Sequence, residues 1–320
     1  MRAAPTWMGS IGLLFGLVAC RAPVPSPGPA FAAGHEIVVA GQRFPIDAPV
    51  VLWDQPPGYD AHSESPRFRA DGERGKRYEP GRRTDDPELA RETESRGWTV
   101  ADLARQIDLF VIHYDVCGTS QACFRVLQDV RSLSVHFLLD VDGTIYQTLD
   151  LAHTAWHARA ANRRSIGVEI AQIGAYPRVD DPALTRRYQW TESGARLMLD
   201  AKARAGLRFP DWAGGPARPG PVEGTVHGQR LVQYDFTPEQ YRSLAALAAA
   251  LARVFPRIAL DAPRDAEGDV RNDALDADET ARFHGCIGHA HLQADKIDPG
   301  PAFDWERFLV EARALRAQVP

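Results

Sequence analysis

Apolar and polar positions fall into a few well-marked segments separated by long irregular stretches. From Asp108, the run Leu109-Phe-Val-Ile-His-Tyr114 is apolar throughout and bounded by polar residues, the mark of a buried central strand, and His113 stands at its end. Ser165–Ala171 alternates instead. Ile166, Val168 and Ile170 share one face, so Gly167 and Glu169 share the other. A carboxylate in the middle of an apolar strand is costly to bury unless it has a partner or a task, and the glycine beside it leaves room for something to approach. Val135–Asp140 and Thr144–Leu149, joined through Asp142-Gly143, predict a hairpin, since Asp-Gly supplies the positive φ values of a tight turn. A shorter β pattern from His35 to Asp47 predicts an edge hairpin.

Helix signals are fewer. Thr99 opens a short helix from Ala101 to Gln106, with Asp102 as its capping acid, and another is expected from about Gln121 to Arg131. Thr237-Pro-Glu-Gln240 combines an N-cap, a proline at the first position and a closing glutamine, and Tyr241, Leu244, Leu247, Ala248 and Leu251 then form an apolar stripe. Further helices are expected around Thr191–Ala205 and from Trp305 to Leu315. Between these elements, Asp60–Arg96 is dense in charges of both signs and reads as a solvated loop. Ala175–Gly228 reads as an insertion lining or covering a site. Asp261–Glu279 is acidic, lacks the spacing of a calcium loop, and reads as exposed.

With 320 residues the chain can bury a sizeable core, and its 26 glycines and 24 prolines fit long loops rather than a helical bundle. A net charge of -5 gives no basic footprint, so nucleic acid is not an expected partner. The N-terminus reads as a targeting segment: Arg2, an apolar run from Ile11 to Val18 too short to span a bilayer, then small residues. Leu17-Val18-Ala19-Cys20 resembles a bacterial lipobox, which implies acylation of Cys20 and, as the alternative, a plain secretory signal. The proline-rich stretch that follows reads as a tether. The expected organisation is a signal peptide at 1–19, a tether at 20–34, an N-terminal extension with a charged loop at 35–96, and one domain at 97–315 with insertions near 175–228 and 261–279. Export would place the other cysteines in an oxidising compartment. Cys117 and Cys123, flanking a short turn, are the expected disulfide, leaving Cys286 as a buried thiol or a soft metal ligand.

Candidate chemistry gathers in His289-Ala-His-Leu-Gln-Ala-Asp-Lys-Ile-Asp298, a short segment closed by Pro299-Gly300. One loop rarely completes a zinc site, and a catalytic one takes three protein ligands and leaves a position open. His113, His289 and Asp298 form a set suited to zinc, with His291 as a competing ligand and His136 as a core residue.

Ile112-His113-Tyr114, Val135–Tyr146, Ala155-Trp-His-Ala158, Ser165-Ile-Gly-Val-Glu169, and Gly288-His289 through Lys296-Ile-Asp-Pro-Gly-Pro-Ala-Phe-Asp-Trp305 follow one another in an order that resembles the zinc-dependent N-acetylmuramoyl-L-alanine amidases, whose fold is shared with phage amidases and peptidoglycan recognition proteins. The resemblance runs from about Asp108 to Trp305. It implies an α/β fold with a central mixed sheet flanked by helices, and a Zn2+ site in a groove at one end of the sheet. His113, His289 and Asp298 would bind the zinc, Glu169 would be the catalytic acid, and Lys296 would stabilise the transition state. His157 lies in a segment whose family counterpart borders the substrate groove, which makes it a candidate substrate contact, and Tyr114 and Trp156 are candidates either to stack on sugar there or to pack the core. The Cys117/Cys123 pair resembles the small disulfide of the recognition proteins. Two departures stand out: Asp115 replaces a small residue, and the His289–Asp298 loop is one residue short. The implied activity is hydrolysis of the amide between N-acetylmuramic acid and L-alanine in peptidoglycan or muropeptides, by an enzyme lipid-anchored in the bacterial cell envelope, with the periplasmic face of the outer membrane as the expected location. The alternatives are a peptidoglycan-binding module without catalysis and a zinc amidase or peptidase with another exported substrate. Retention of all three ligand candidates argues against the first.

Overall fold

The computed structural model describes Met1, residues 29–72 and residues 74–318. The targeting segment, the lipobox with Cys20 and most of the tether lie outside these residues. Among the described residues no helix is long and apolar enough to cross a membrane.

The core is a seven-stranded mixed sheet built from β1 (Gly34–Val39), β2 (Gln42–Leu52), β3 (Leu109–Tyr114), β4 (Phe137–Leu139), β5 (Ile145–Gln147), β6 (Ser165–Ile170) and β7 (Gly285–Gly288). Their spatial order is β1-β2-β5-β4-β6-β3-β7. The last four strands in that order, β4, β6, β3 and β7, run parallel to one another. This is the expected α/β architecture, and the carboxyl ends of its parallel strands open one crevice, the usual place for a ligand in such sheets.

The alternation in β6 is realised as expected. Ile166, Val168 and Ile170 enter the main core with Phe110, Ile112 and Tyr114 of β3, under the helix Pro238–Val254 and its neighbour Trp305–Ala317. The Pro238–Val254 helix starts at the capping box read from the sequence, Thr237 with Gln240. On the other face Leu109, Val111 and Ile287 pack with Ala158 and Ala161, and Leu138 and Tyr146 pack with Phe124. The helix expected at 121–131 is Ser120–Val126 continued by a wider turn over Leu127–Arg131. The edge hairpin forms as β1 and β2, but β2 runs on to Leu52 and pairs with β5, so the N-terminal stretch is part of the main sheet.

Two expectations are corrected. Asp60–Arg96 is not a solvated loop. It contains the helix Pro87–Arg96, capped by Asp86 with proline at its first position, and it buries Arg77 and Arg82. Arg82 donates to the carbonyls of Leu151, Asn162, Arg163 and Ser165, bracing the segment that enters β6. Buried backbone carbonyls must be paired, and here a charged side chain does it. In the insertion, the helix expected at 191–205 is instead a hairpin of Tyr188–Thr191 with Gly194–Leu197, followed by a short helix, Ala201–Ala205. Ala195, Arg196 and Leu197 are good helix formers. Their pairing and the turn at Gly194, with φ 112°, override that local preference. A second hairpin, Pro221–Val226 with Gln229–Tyr234, closes the insertion.

Candidate active site

The register of the sheet assembles the site. In β3 and β6, His113 lies opposite Glu169, and Val111 opposite Gly167. On the far side of β3, Gly288 of β7 lies opposite Ile112, so the chain leaves β7 at the same end of the sheet and turns directly into the helix His289–Leu292. The loop after that helix returns Asp298 to the same point, with its backbone carbonyl accepting from Ala290 N.

Three ligand atoms converge there. Nδ1 of His113 and Nδ1 of His289 are 3.1 Å apart, and Asp298 Oδ2 lies 2.9 Å from the first and 3.2 Å from the second. Ligands about 2.0–2.1 Å from a tetrahedral zinc ion are separated by roughly 3.3 Å, so the donor set matches the ion in both kind and spacing. His113, His289 and Asp298 are all buried and are the group among the described residues whose geometry could hold a metal ion. Burial drives the His113 imidazole down, toward the neutral form a ligand needs, and the neighbouring His289 adds to this. Burial opposes the charge on Asp298, but the hydrogen bonds and charge of His113 and His289 outweigh it and hold the carboxyl well below its usual range.

Glu169 stands beside this triad with Oε2 shut from solvent and without a hydrogen-bond partner among the described residues. Burial raises its carboxyl well above the ordinary value, and the negative charges of Asp298 and Asp115 push in the same direction. A buried carboxyl of raised pKa beside a metal-ligand set is equipped to move a proton. Asp115 itself accepts from the backbone of Cys117, Gly118 and Gln172 while burial pushes it up to about 7.

The site lies in a groove of about 760 Å³ whose lining includes Tyr114, Trp156, His157, Glu169 and Lys296. Lys296 is 39% exposed at its side chain, near Asp295, and its charge is felt at His113. Its backbone is fixed by His227 Nε2, which donates to the Lys296 carbonyl. His291 is turned away from the metal position, its two ring nitrogens engaged by Gly288 N and the Arg271 carbonyl. His136 is fully buried, accepting from Gly167 N and donating to the His153 carbonyl. Cys117 and Cys123 are free thiols in this structure, close enough for a hydrogen bond between them. Cys286 is a buried free thiol near the Ala259 carbonyl, with its ionisation suppressed by burial.

Some residues of the site escaped the sequence reading. Gln293 contacts His289, and its signal was available as a polar side chain four positions on, hence on the same helix face. Asn162 caps the turn after Trp156 by accepting from His157 N and Ala158 N. Arg159, at φ 49°, lines the groove and pairs with Asp295. For these last two no local pattern pointed to the site.

A search of curated protein sequences gives no match. Among solved structures, AmiD from E. coli, determined with the substrate anhydro-N-acetylmuramic acid-L-Ala-D-gamma-Glu-L-Lys, is 18% identical, with 64% of this chain and 57% of that one covered at a TM-score of 0.36. AmpDH3 from Pseudomonas aeruginosa is 18% identical over 65% of this chain and 60% of that one, at a TM-score of 0.36. The amidase LysC from Clostridium intestinale is 14% identical over 66% and 88%, at 0.32. The sequence itself matches the family model of N-acetylmuramoyl-L-alanine amidase over residues 103–301, well over half of the chain and inclusive of every candidate ligand. The chain belongs to the N-acetylmuramoyl-L-alanine amidase family.

Proposed function

We propose that this chain is a zinc-dependent hydrolase that cleaves the amide between the lactyl group of N-acetylmuramic acid and the L-alanine of the stem peptide, in peptidoglycan or in muropeptides. The observation that carries the metal assignment is the convergence of His113 Nδ1, His289 Nδ1 and Asp298 Oδ2 within 3.2 Å of one another beside Glu169. Zinc held there supplies a Lewis acid that activates water and polarises the scissile carbonyl.

The chain's own groups supply the rest. Glu169 accepts the proton of the attacking water and delivers one to the departing amine of L-alanine; burial and nearby negative charge keep its carboxyl a weak enough acid to serve both directions. Lys296, on a loop braced by His227, reaches from the groove wall to the carbonyl oxygen as it gains negative charge. Arg131 and Arg159 also line the groove and are suited to the carboxylates of a stem peptide. Tyr114, Trp156 and His157 offer apolar and polar surface for the sugar and the first peptide residue. Acylation of Cys20 would hold the enzyme at the membrane on its tether, facing the cell wall.

Purified protein is expected to hold one zinc per chain. Dialysis against a chelator should remove both the metal and the hydrolysis of muropeptide, and added zinc should restore both. Full hydrolysis by protein shown to be metal-free would overturn the zinc assignment.

A further inference from the structure

This inference rests on the reading that His113, His289 and Asp298 hold zinc. The atoms that converge are the two Nδ1 nitrogens, so each must offer a bare lone pair. A neutral imidazole carries one hydrogen, which then belongs on Nε2, and a buried N–H needs an acceptor. Among the described residues each ring has one partner at that corner: His113 Nε2 is 3.0 Å from His157 Nδ1, and His289 Nε2 is 2.6 Å from the side-chain nitrogen of Gln293 as it is placed in the structure.

Both partners can be made to fit in one way only. If His157 Nδ1 accepts from His113, the hydrogen of His157 sits on its own Nε2, 3.3 Å from Ser165 Oγ, which accepts it. The series His113 to His157 to Ser165 is then consistently polarised. Strand β6 makes room for it: a Cβ on Gly167 would lie 2.5 Å from the His157 ring. Asn162 meanwhile fixes the His157 backbone. For Gln293, the amide must be turned end for end, so that its oxygen, which as placed is buried without a hydrogen-bond partner among the described residues, faces His289. A carboxamide carries an acceptor at one end and a donor at the other, and an NH2 facing Nε2 would force the hydrogen onto Nδ1, where it would block the metal. The spacing of four residues from His289, across the short helix, places Gln293 on that corner.

We infer that His157 and Gln293 are positioning residues that hold both ligand rings in the Nε2–H form, and that they do so as uncharged acceptors. Outer partners of metal-bound histidine are commonly carboxylates, backbone carbonyls or water. An imidazole and a carboxamide draw less strongly on the N–H than a carboxylate would. They leave the rings less basic, so more of the metal's charge remains available to the substrate, at some cost in metal affinity.

The test uses the full chain and zinc alone as probe. In zinc-loaded, 15N-labelled protein, long-range 1H–15N spectra should show His113 and His289 protonated at Nε2. Gln293→Leu should weaken zinc binding, measured by competition with a chelator, about 10- to 100-fold. His157→Phe should weaken it over the same range. Gln293→Glu restores an acceptor and should recover affinity at or above wild type, the reverse of what a packing role would give. Wild-type protein that takes up no zinc would sink the ligand reading and this inference with it. Wild-type protein that binds zinc while Gln293→Leu matches it in affinity would overturn the inference alone.

Discussion

Glu169→Gln is expected to leave one zinc per chain and to lower the rate of muropeptide hydrolysis by roughly 10²–10⁴-fold, the range over which a positioned acid–base group contributes. The same substitution should stabilise the metal-free protein at neutral pH. Glu169 Oε2 is buried without a partner, and burial lifts its carboxyl well above the ordinary 4.5. Below pH 4.5 both folded and unfolded chains hold the proton and the residue is at its most favourable. As pH rises the unfolded chain releases the proton while the fold retains it, so the contribution of Glu169 is progressively lost until its folded-state pKa is passed. Glutamine does not ionise and escapes that loss. The variant should therefore unfold later than wild type by a margin that widens from pH 5 to pH 8, on the order of 1–3 kcal/mol for an unsatisfied buried polar group. Thermal unfolding in chelator across that range measures it. Equal stability at both pH values would contradict the burial argument, and retained hydrolysis would remove Glu169 from the mechanism.

Asp298→Ala should have the other large effect. Asp298 is 8% exposed, and in the metal-free protein its carboxylate accepts from both ligand histidines, so its loss takes away one of three protein ligands and the partner of two buried imidazoles. Zinc content after dialysis should fall from one per chain to near zero, with hydrolysis at background. Stability of the metal-free protein should drop by about 3 kcal/mol, as expected for removing a charged, buried hydrogen-bond acceptor. Asp298→Asn keeps an acceptor without the charge, and should recover part of the stability and little of the metal. An alanine variant that purifies with a full complement of zinc would exclude Asp298 from the ligand set.

Features that depend on local pattern were legible in the sequence. The period of two in Ser165–Ile170 assigns Ile166, Val168 and Ile170 to the core and Glu169 to the opposite face, where the sheet register sets it beside His113. The capping box at Thr237 and the Asp-Gly turn likewise needed only neighbours in sequence. What depended on distant carbonyls or on short pairings was not legible. Arg82 sits in a run of charges that looks solvated, yet it is buried because four backbone carbonyls from two other segments surround its guanidinium. The insertion's four-residue strands carry too few alternations to outweigh the helix preference of Ala195–Leu197. In the site, His113, His289, Asp298 and Glu169 stand out from strand pattern and ligand chemistry, the resemblance implies their roles and that of Lys296, and the structure brings all five to one groove. Their supporting partners were not, because the value of Gln293, or of Gly167 as space for a ring, exists only once the histidines have come together.

The most direct measurement is mass spectrometry of the products released from purified muropeptide of known structure, with the zinc-loaded protein and with the same protein after chelation. Cleavage at the lactyl–alanine amide should give an intact N-acetylmuramic acid carboxylic acid and a stem peptide with a free L-alanine amine, both missing from the chelated sample. Products cut at any other bond, or intact muropeptide left by fully zinc-loaded protein, would contradict the account.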